Sequence, residues 1–327
     1  MSSRIGRLDA VSAPEVRLLA ALRTGLTRPL PTIPCAFLYD DRGSRLFVEI
    51  TRLPEYYQTR TEEALLERVA PAVAEAVAPA QLVELGSGAG RKIRLLLEAC
   101  REAGGLRRCL LMDINARCLH DSVVALRRDY PELEIEALRG DFQADLERLG
   151  PGGGRLVVLL AGTIGNLEPA ALPGFLRAVA ARLEPGDGFL VGVDLVKDRR
   201  VLERAYNDSA GVTAAFNLNV LSALNDQAGA DFDPRAWEHV AFYDVERAWI
   251  EMRLRSRAGQ HVSLPGIGLE LDFEAGDEIR TEISAKFTRA SLGGQLERTG
   301  LRLEQWHRDD EERFALALLR RENGAAG

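Results

Sequence analysis

QLVELGSGAGRKIRLLLEAC, residues 81–100, decides the fold. A short apolar run, QLVEL, meets a glycine-rich turn, ELGSGAG (84–90), and an amphipathic helical stretch follows at once. Strand, tight turn and helix in that order open a nucleotide-type βαβ unit. The glycines let the backbone turn sharply and approach a ligand closely. The turn does not match G-x-x-x-x-G-K-[ST], which disfavours ATP or GTP held by a Walker loop. By itself G-x-G-x-G does not choose between dinucleotide enzymes and methyl-transfer enzymes.

The alternation continues downstream. RRCLLMDIN is a second strand ending in Asp113, and ARCLHDSVVALRRDY is a helix stopped before Pro131. LEIEALRGDF is a third strand and RLVVLLAGTIGN a fourth; ALPGFLRAVAARLEPGD is a helix with its stop at Pro185-Gly186, and GFLVGVDLV is a fifth strand. Strands and helices at this spacing predict a parallel sheet with right-handed crossovers. Upstream, residues 14–26 and 61–77 read as helices, the second capped by Thr61. Asp40-Asp41-Arg42-Gly43 reads as a turn, and LFVEIT as a short helix or strand.

After Lys197 the rhythm changes. Residues 200–236 are mostly helical and Asn-rich. HVAFYDVERAWIEMRLRSRAG, QHVSLPG and IRTEISAKF then resemble antiparallel strands. The last stretch reads as a helix, a short strand and another helix or turn that completes the first sheet.

Composition narrows the function. The chain has 327 residues, 46% hydrophobic, enough for one large core or two domains. A net charge of -7 gives the wrong long-range field for nucleic acid or an anionic membrane. No run reaches the roughly 18 apolar residues of a membrane span. The start, MSSRIGRLDAVSAPEV, has no apolar core of a secretion signal. Cys35, Cys100, Cys109 and Cys118 form no C-x-x-C and read as free thiols of a reducing cytoplasm. The four histidines have no metal-ligand spacing, so no metal is expected. Only Lys92, Lys197 and Lys286 are lysines among 42 basic residues, so their placement is a mild hint.

Several residues sit where a doubly wound sheet places its site, at the carboxyl ends of the strands. Asp113 can accept from both ribose hydroxyls, or cap the next helix. Asp141, in Gly140-Asp141-Phe142, can accept an adenine amino group, with Phe142 packing or donating from its backbone; a capped helix start fits nearly as well. Asn166, in GTIGN, offers a donor and an acceptor beside the same crevice, or serves a turn. In RTEISAKF (280–287), Arg280, Glu282, Ser284 and Lys286 share one parity, while Thr281, Ile283, Ala285 and Phe287 share the other. The polar face is either a wet sheet surface or a site wall. An NAD(P) oxidoreductase is disfavoured, because Asp113 lies 27 residues after Gly86 (113 − 86), beyond the usual separation of roughly 20.

FLYDDRGSRLFVEITRLPEYYQTR, ELGSGAGRKIRLLL, GTIGN, VDLVKD, AYND, GVTAAFNLNVL, WIEMRL and RTEISAKF together resemble one family. It is the S-adenosylmethionine-dependent histidine N-alpha-methyltransferases of ergothioneine biosynthesis, which form hercynine. The likeness runs from about Phe37 to Leu318. It implies an α/β fold: a doubly wound, Rossmann-like methyltransferase core with a second α+β substrate-binding domain. The expected units are 1–60 and 197–286 for substrate, 61–196 for the core, and 287–327 returning to it. The resemblance implies S-adenosyl-L-methionine as cofactor, held by Tyr39, Gly86, Lys92, Asp113, Asp141 and Phe142. It places the substrate carboxylate on Asn166 and Tyr206 with Tyr56 nearby, and the imidazole on Glu282 and Ser284 beside Met252. Tyr39 is the candidate catalytic residue, placing the amine and passing on its proton. Arg280 and Lys286 are expected to be partly solvated, while Ile283, Ala285 and Phe287 anchor the strand. The expected partner is L-histidine, with no nucleic acid and no membrane; the expected state is a cytoplasmic monomer. On the residues alone, a methyltransferase for another small amine is the open alternative.

Overall fold

Local sequence periodicity becomes a mixed sheet with helices on both faces, and a second small sheet beside it. The computed structural model describes residues 13–88 and 90–322. MSSRIGRLDAVS, and with it the outer ends of the first and last expected units, lies outside the described residues, as does Ala89.

The chain begins with α1 (Ala13–Leu26), a 3-10 turn (Cys35–Tyr39), α2 (Asp41–Ile50) and α3 (Gln58–Val77). The core alternation follows: β1 (Gln81–Leu85), α4 (Ile93–Ala103), β2 (Arg108–Asp113), α5 (Ala116–Asp129), β3 (Glu134–Arg139), β4 (Arg155–Leu159), α6 (Leu172–Ala180) and β5 (Gly188–Asp194). Then come α7 (Arg199–Tyr206), α8 (Val212–Ala228), β6 (Trp237–Asp244), β7 (Trp249–Ser256), β8 (Gln260–Leu264), β9 (Leu269–Phe273) and β10 (Glu278–Ala285). The chain closes with α9 (Arg289–Leu296), β11 (Leu301–Arg308) and β12 (Phe314–Arg321).

The large sheet has the order β11-β12-β5-β4-β1-β2-β3. Strands β1 to β5 are parallel, and β12 pairs antiparallel with both β5 and β11. The order reverses between β1 and β4, which opens a crevice at their carboxyl ends. Apolar faces of α3, α4 and α5 pack on one side of this sheet. Those of α6 and α9 pack on the other. A third core joins α1, α2, α7 and α8 to the small sheet β10-β7-β6 and the hairpin β8-β9.

Three local expectations need correction. Asp40 is not a turn residue followed by an ambiguous segment: its side chain accepts from Gly43 N and caps α2. Thr61 is not a cap, because α3 already begins at Gln58. FALALLRR is neither helix nor turn but β12. It lies between two strands with both faces covered, so it shows a continuous apolar run in place of alternation.

The two sheets meet where β10 ends. Phe287 N donates to Asp194 O (2.8 Å), and Val196 N donates to Phe287 O (3.0 Å). The β10 strand therefore continues alongside the end of β5. Earlier along that same edge Arg280 N donates to Pro31 O and Ile33 N donates to Arg280 O, while β7 pairs along the other edge. RTEISAKF is thus enclosed from both edges.

Candidate active site

The glycine loop turns between β1 and α4 with positive φ at Gly86 (71°), Gly88 (47°) and Gly90 (63°), a region that glycine enters without strain. Asp113, at the tip of neighbouring β2, braces it. Its Oδ2 accepts from Gly88 N and its Oδ1 from Asn115 N, both at 2.8 Å. Asn115, not Asp113, caps α5. Asp141 and Phe142 follow β3; Asp141 Oδ1 accepts from Gln143 N at 2.8 Å. Burial raises the carboxyls of both Asp113 and Asp141.

Lys92 does not point alone into this crevice. It forms an ion pair with Glu62, which is fully buried and also accepts from Ala161 N at 2.9 Å. Beneath the loop, Glu84 Oε2 and Ser87 Oγ are buried with no hydrogen-bond partner among the described residues. Burial first, and then the charges of Asp113 and Glu62, pushes the Glu84 carboxyl well up against the opposing pull of Lys92.

Tyr39 links this crevice to the second core. Its carbonyl accepts from Asn115 Nδ2 (3.0 Å), tying the 3-10 turn to the β2–α5 corner. Its ring meets Phe47 and Phe216 edge-on at 5.6 Å. Tyr56 stands 6.1 Å from Phe47 and 6.4 Å from Tyr206, which extends the aromatic wall. Burial pushes the Tyr39 phenol well up, and the negative charges of Glu282 and Asp113 add to it.

β10 supplies the far wall. Glu282 faces Met252 across the β7 pairing. A bulge between Arg280 and Glu282 adjusts the register there. Glu282 is 8% exposed, and its Oε2 has no partner among the described residues. Burial raises its carboxyl to about 7, although the Lys286 charge and the Asn166 side chain both pull it down. Asn166 reaches it because the GTIGN loop presses on β10. A Cβ on Gly165 would lie 2.7 Å from Ala285 O, so the approach requires glycine.

The expectation of a partly solvated Lys286 is overturned. Its side chain is fully buried and donates to Asp194 Oδ2 (3.0 Å), Tyr206 Oη (3.1 Å) and Ser284 Oγ (2.7 Å). Its burial follows from the crossing of β10 onto β5, which covers that parity with Asp194. Tyr206 Oη in turn donates to Ser284 Oγ (2.8 Å). Asp194 also accepts from Tyr57 Oη (2.8 Å), Gln58 Nε2 (3.0 Å) and Lys197 Nζ (2.6 Å). Burial pushes the Asp194 carboxyl up, but the charges of Lys286 and Lys197 outweigh it and hold it below the usual range.

The fold thus brings Tyr56, Tyr206, Met252, Glu282 and Ser284 into one enclosure with Asn166 at its edge. Gly86, Asp113, Asp141 and Phe142 form a second, and Tyr39 stands between them. Sequence reasoning missed Asp194, Tyr57, Gln58, Lys197 and the structural part of Lys286. The scarce lysines were the available signal: each of the three neutralises a buried carboxylate. Among the described residues no group of histidine, cysteine, aspartate and glutamate could hold a metal ion, and no helix is long and apolar enough to cross a membrane. The four cysteines are free.

The chain is similar to known proteins in sequence and in fold. Residues 18–321 match the family model for histidine-specific, SAM-dependent methyltransferases. The chain is 46% identical over 311 residues to the histidine N-alpha-methyltransferase of Mycolicibacterium smegmatis, covering 95% of this chain and 97% of that protein. It is 44% identical over 295 residues to the Mycobacterium tuberculosis protein of the same name, covering 90% and 92%. An S-adenosylmethionine-dependent methyltransferase from Clostridium acetobutylicum superposes with a TM-score of 0.50 at 11% identity, over 85% of this chain and 99% of that one, and so shares the fold. The cradle fits the cofactor these matches imply. Backbone at Gly86 and Gly88 is open to close approach, acids stand at the tips of β2 and β3, and two buried polar atoms below the loop lack partners.

Proposed function

The chain belongs to this histidine-specific, S-adenosylmethionine-dependent methyltransferase family, and from that premise we propose that it places three methyl groups on the alpha-amino nitrogen of L-histidine, giving hercynine. The observation that carries this reading is the buried Glu282 carboxyl, whose Oε2 has no partner among the described residues, two residues from Ser284 on one strand face. A buried unpaired acceptor calls for a ring N–H, and a site of that kind rejects apolar analogues that would strand it. In this reading residues 61–196, with the returning strands of 287–327, hold the cofactor. Residues 1–60 and 197–286 build the substrate unit.

Bound S-adenosylmethionine supplies an activated methyl group on a sulfonium. Gly86, with Asp113 on the ribose and Asp141 and Phe142 at the adenine, orients it, and Lys92 lies beside its amino-acid end. Asn166 and Tyr206 take the substrate carboxylate with Tyr56 alongside. Glu282 and Ser284 take the ring, and Met252 shapes its pocket. Such alignment supplies up to roughly 7–11 kcal/mol in favourable cases. The substrate amine attacks only when unprotonated. Burial among Tyr39, Phe47 and Tyr56 disfavours its charged form. The Tyr39 phenol, held well above its ordinary value, stays neutral; it positions the amine and passes its proton to solvent. The same ring faces tolerate the trimethylammonium product.

Mass spectrometry of an amino-acid panel incubated with the enzyme and S-adenosylmethionine tests the reading. Histidine should gain three methyl groups, and a different best substrate would overturn it. Glu282→Ala should raise the histidine KM at least about tenfold, with much less change in cofactor affinity.

A further inference from the structure

The buried lysine at the end of β10 has a use beyond holding the two sheets together. An ammonium has three hydrogens and no lone pair, so whatever it contacts must accept. Lys286 directs one hydrogen to Asp194 Oδ2, one to Tyr206 Oη and one to Ser284 Oγ. Gln58 Nε2 donates to Tyr206 Oη as well, at 3.1 Å. The amide is oriented by its second bond to Asp194 Oδ2, because a carboxylate requires the NH2 end. Both acceptor positions of Tyr206 are therefore filled, and its own hydrogen must be donated. Without ligand it goes to Ser284 Oγ.

Ser284 is constrained in the same sense. Its oxygen receives Lys286 and Tyr206. Its hydrogen can return to neither, since one is a cation and the other is saturated. No acceptor for it occurs among the described residues, so it points into the enclosure beside Glu282. Asp194 keeps the cation in place: burial pulls the Lys286 ammonium down, while Asp194 outweighs that and holds it above its ordinary value. Other charged or titratable groups facing this cluster include Lys197, Tyr57, Tyr56, Tyr39 and Tyr243, with Glu282 on the same strand.

We propose that Lys286 is a positioning residue for substrate selection: with Gln58 it makes both Tyr206 and Ser284 hydrogen-bond donors, so that the ring beside Glu282 must offer one N–H and one unprotonated nitrogen. This rests on the histidine reading above and adds to it the state of the ring. Neutral imidazole, in the tautomer with its N–H toward Glu282, satisfies both groups. Imidazolium presents a second N–H to the Ser284 hydrogen and a second cation to Lys286.

The test uses histidine against the better of its two pyrrolylalanine analogues, which keep a ring N–H and have no acceptor nitrogen. The wild-type enzyme should prefer histidine by at least about 100-fold in kcat/KM. Lys286→Met should lower that ratio at least about tenfold, mostly through KM, and should change nothing further in a Ser284→Ala background. A ratio within twofold of wild type in Lys286→Met overturns the proposal. Should that variant fail to fold, the wild-type enzyme decides by pH. The histidine-to-analogue ratio should fall about tenfold per pH unit below the imidazole value of roughly 6.5. A ratio flat from about pH 5 to 8 overturns the proposal even though histidine is methylated. A wild-type enzyme that leaves histidine unmethylated overturns the functional reading itself.

Discussion

Replacing Glu282 by glutamine should stabilise the ligand-free protein in alkaline but not in acidic solution. The side chain keeps its shape and loses its charge. Its carboxyl is 8% exposed with Oε2 unpartnered, and burial raises it from 4.5 to about 7 despite Lys286 and Asn166. An acid raised in the folded state has a definite sign. Below 4.5 both folded and unfolded chains are protonated, and the group contributes nothing. Between 4.5 and about 7 the folded state keeps a proton that the unfolded chain releases, so stability falls as pH rises. At 1.36 kcal/mol per pH unit the whole window amounts to about 3 kcal/mol, and to about 2–3 kcal/mol between about pH 5 and 8. Urea unfolding of wild type and Glu282→Gln at those two pH values measures it. The variant's advantage should grow by that amount from acid to alkaline conditions. An advantage equal at both would refute the claim that the carboxylate stored in the site is only partly compensated by Lys286 and Asn166. Histidine should stabilise the wild type and do so much less for the variant if, as proposed, the ring N–H satisfies the Glu282 charge.

Tyr39→Phe should slow the first methylation and alter its pH profile while leaving the fold intact; stopped assays across pH check this, and an unchanged rate and profile would remove Tyr39 from proton handling. Lys92→Met leaves the fully buried Glu62 without its cation, so urea unfolding should show a loss of about 3–5 kcal/mol. A loss below about 1 kcal/mol would refute a stabilising role for the Lys92–Glu62 pair. Gly165→Ala places a Cβ 2.7 Å from Ala285 O and should push Asn166 away from β10. The expected result is a histidine KM raised about tenfold with little change in cofactor affinity by calorimetry. Asp113→Asn gives up one of two charge-assisted bonds, to Gly88 N or Asn115 N, and calorimetry should find S-adenosylmethionine bound at least about tenfold more weakly.

Much of the large sheet is legible in the chain because its signals are local. A strand, a glycine turn and a helix are neighbours in sequence, and their repeat places Asp113, Asp141 and Asn166 at strand ends with no further information. Met252 and Glu282 are also within reach, since two alternating segments that pair antiparallel can be aligned. The failures have a common cause. FALALLRR lost its alternation because strands on both sides and helices on both faces cover it. Thr61 looked like a cap because nothing in sequence shows that α3 starts one turn earlier. Lys286 looked solvated because alternation reports that a face is polar and cannot report what covers it.

The sequence by itself determined the strand, turn and helix repeat and the polar face of RTEISAKF, because both follow from periodicity and from residue types at fixed spacing. A ring-reading role for Glu282 is what the family resemblance implies. Only the tertiary structure decided what covers Lys286 and which groups it meets. Asp194, Gln58, Tyr206 and Lys286 come from β5, α3, α7 and the end of β10, and no spacing relates them. They meet because the end of β10, still paired to β7, runs beside the end of β5, where a carboxylate and an ammonium shut away from water require each other.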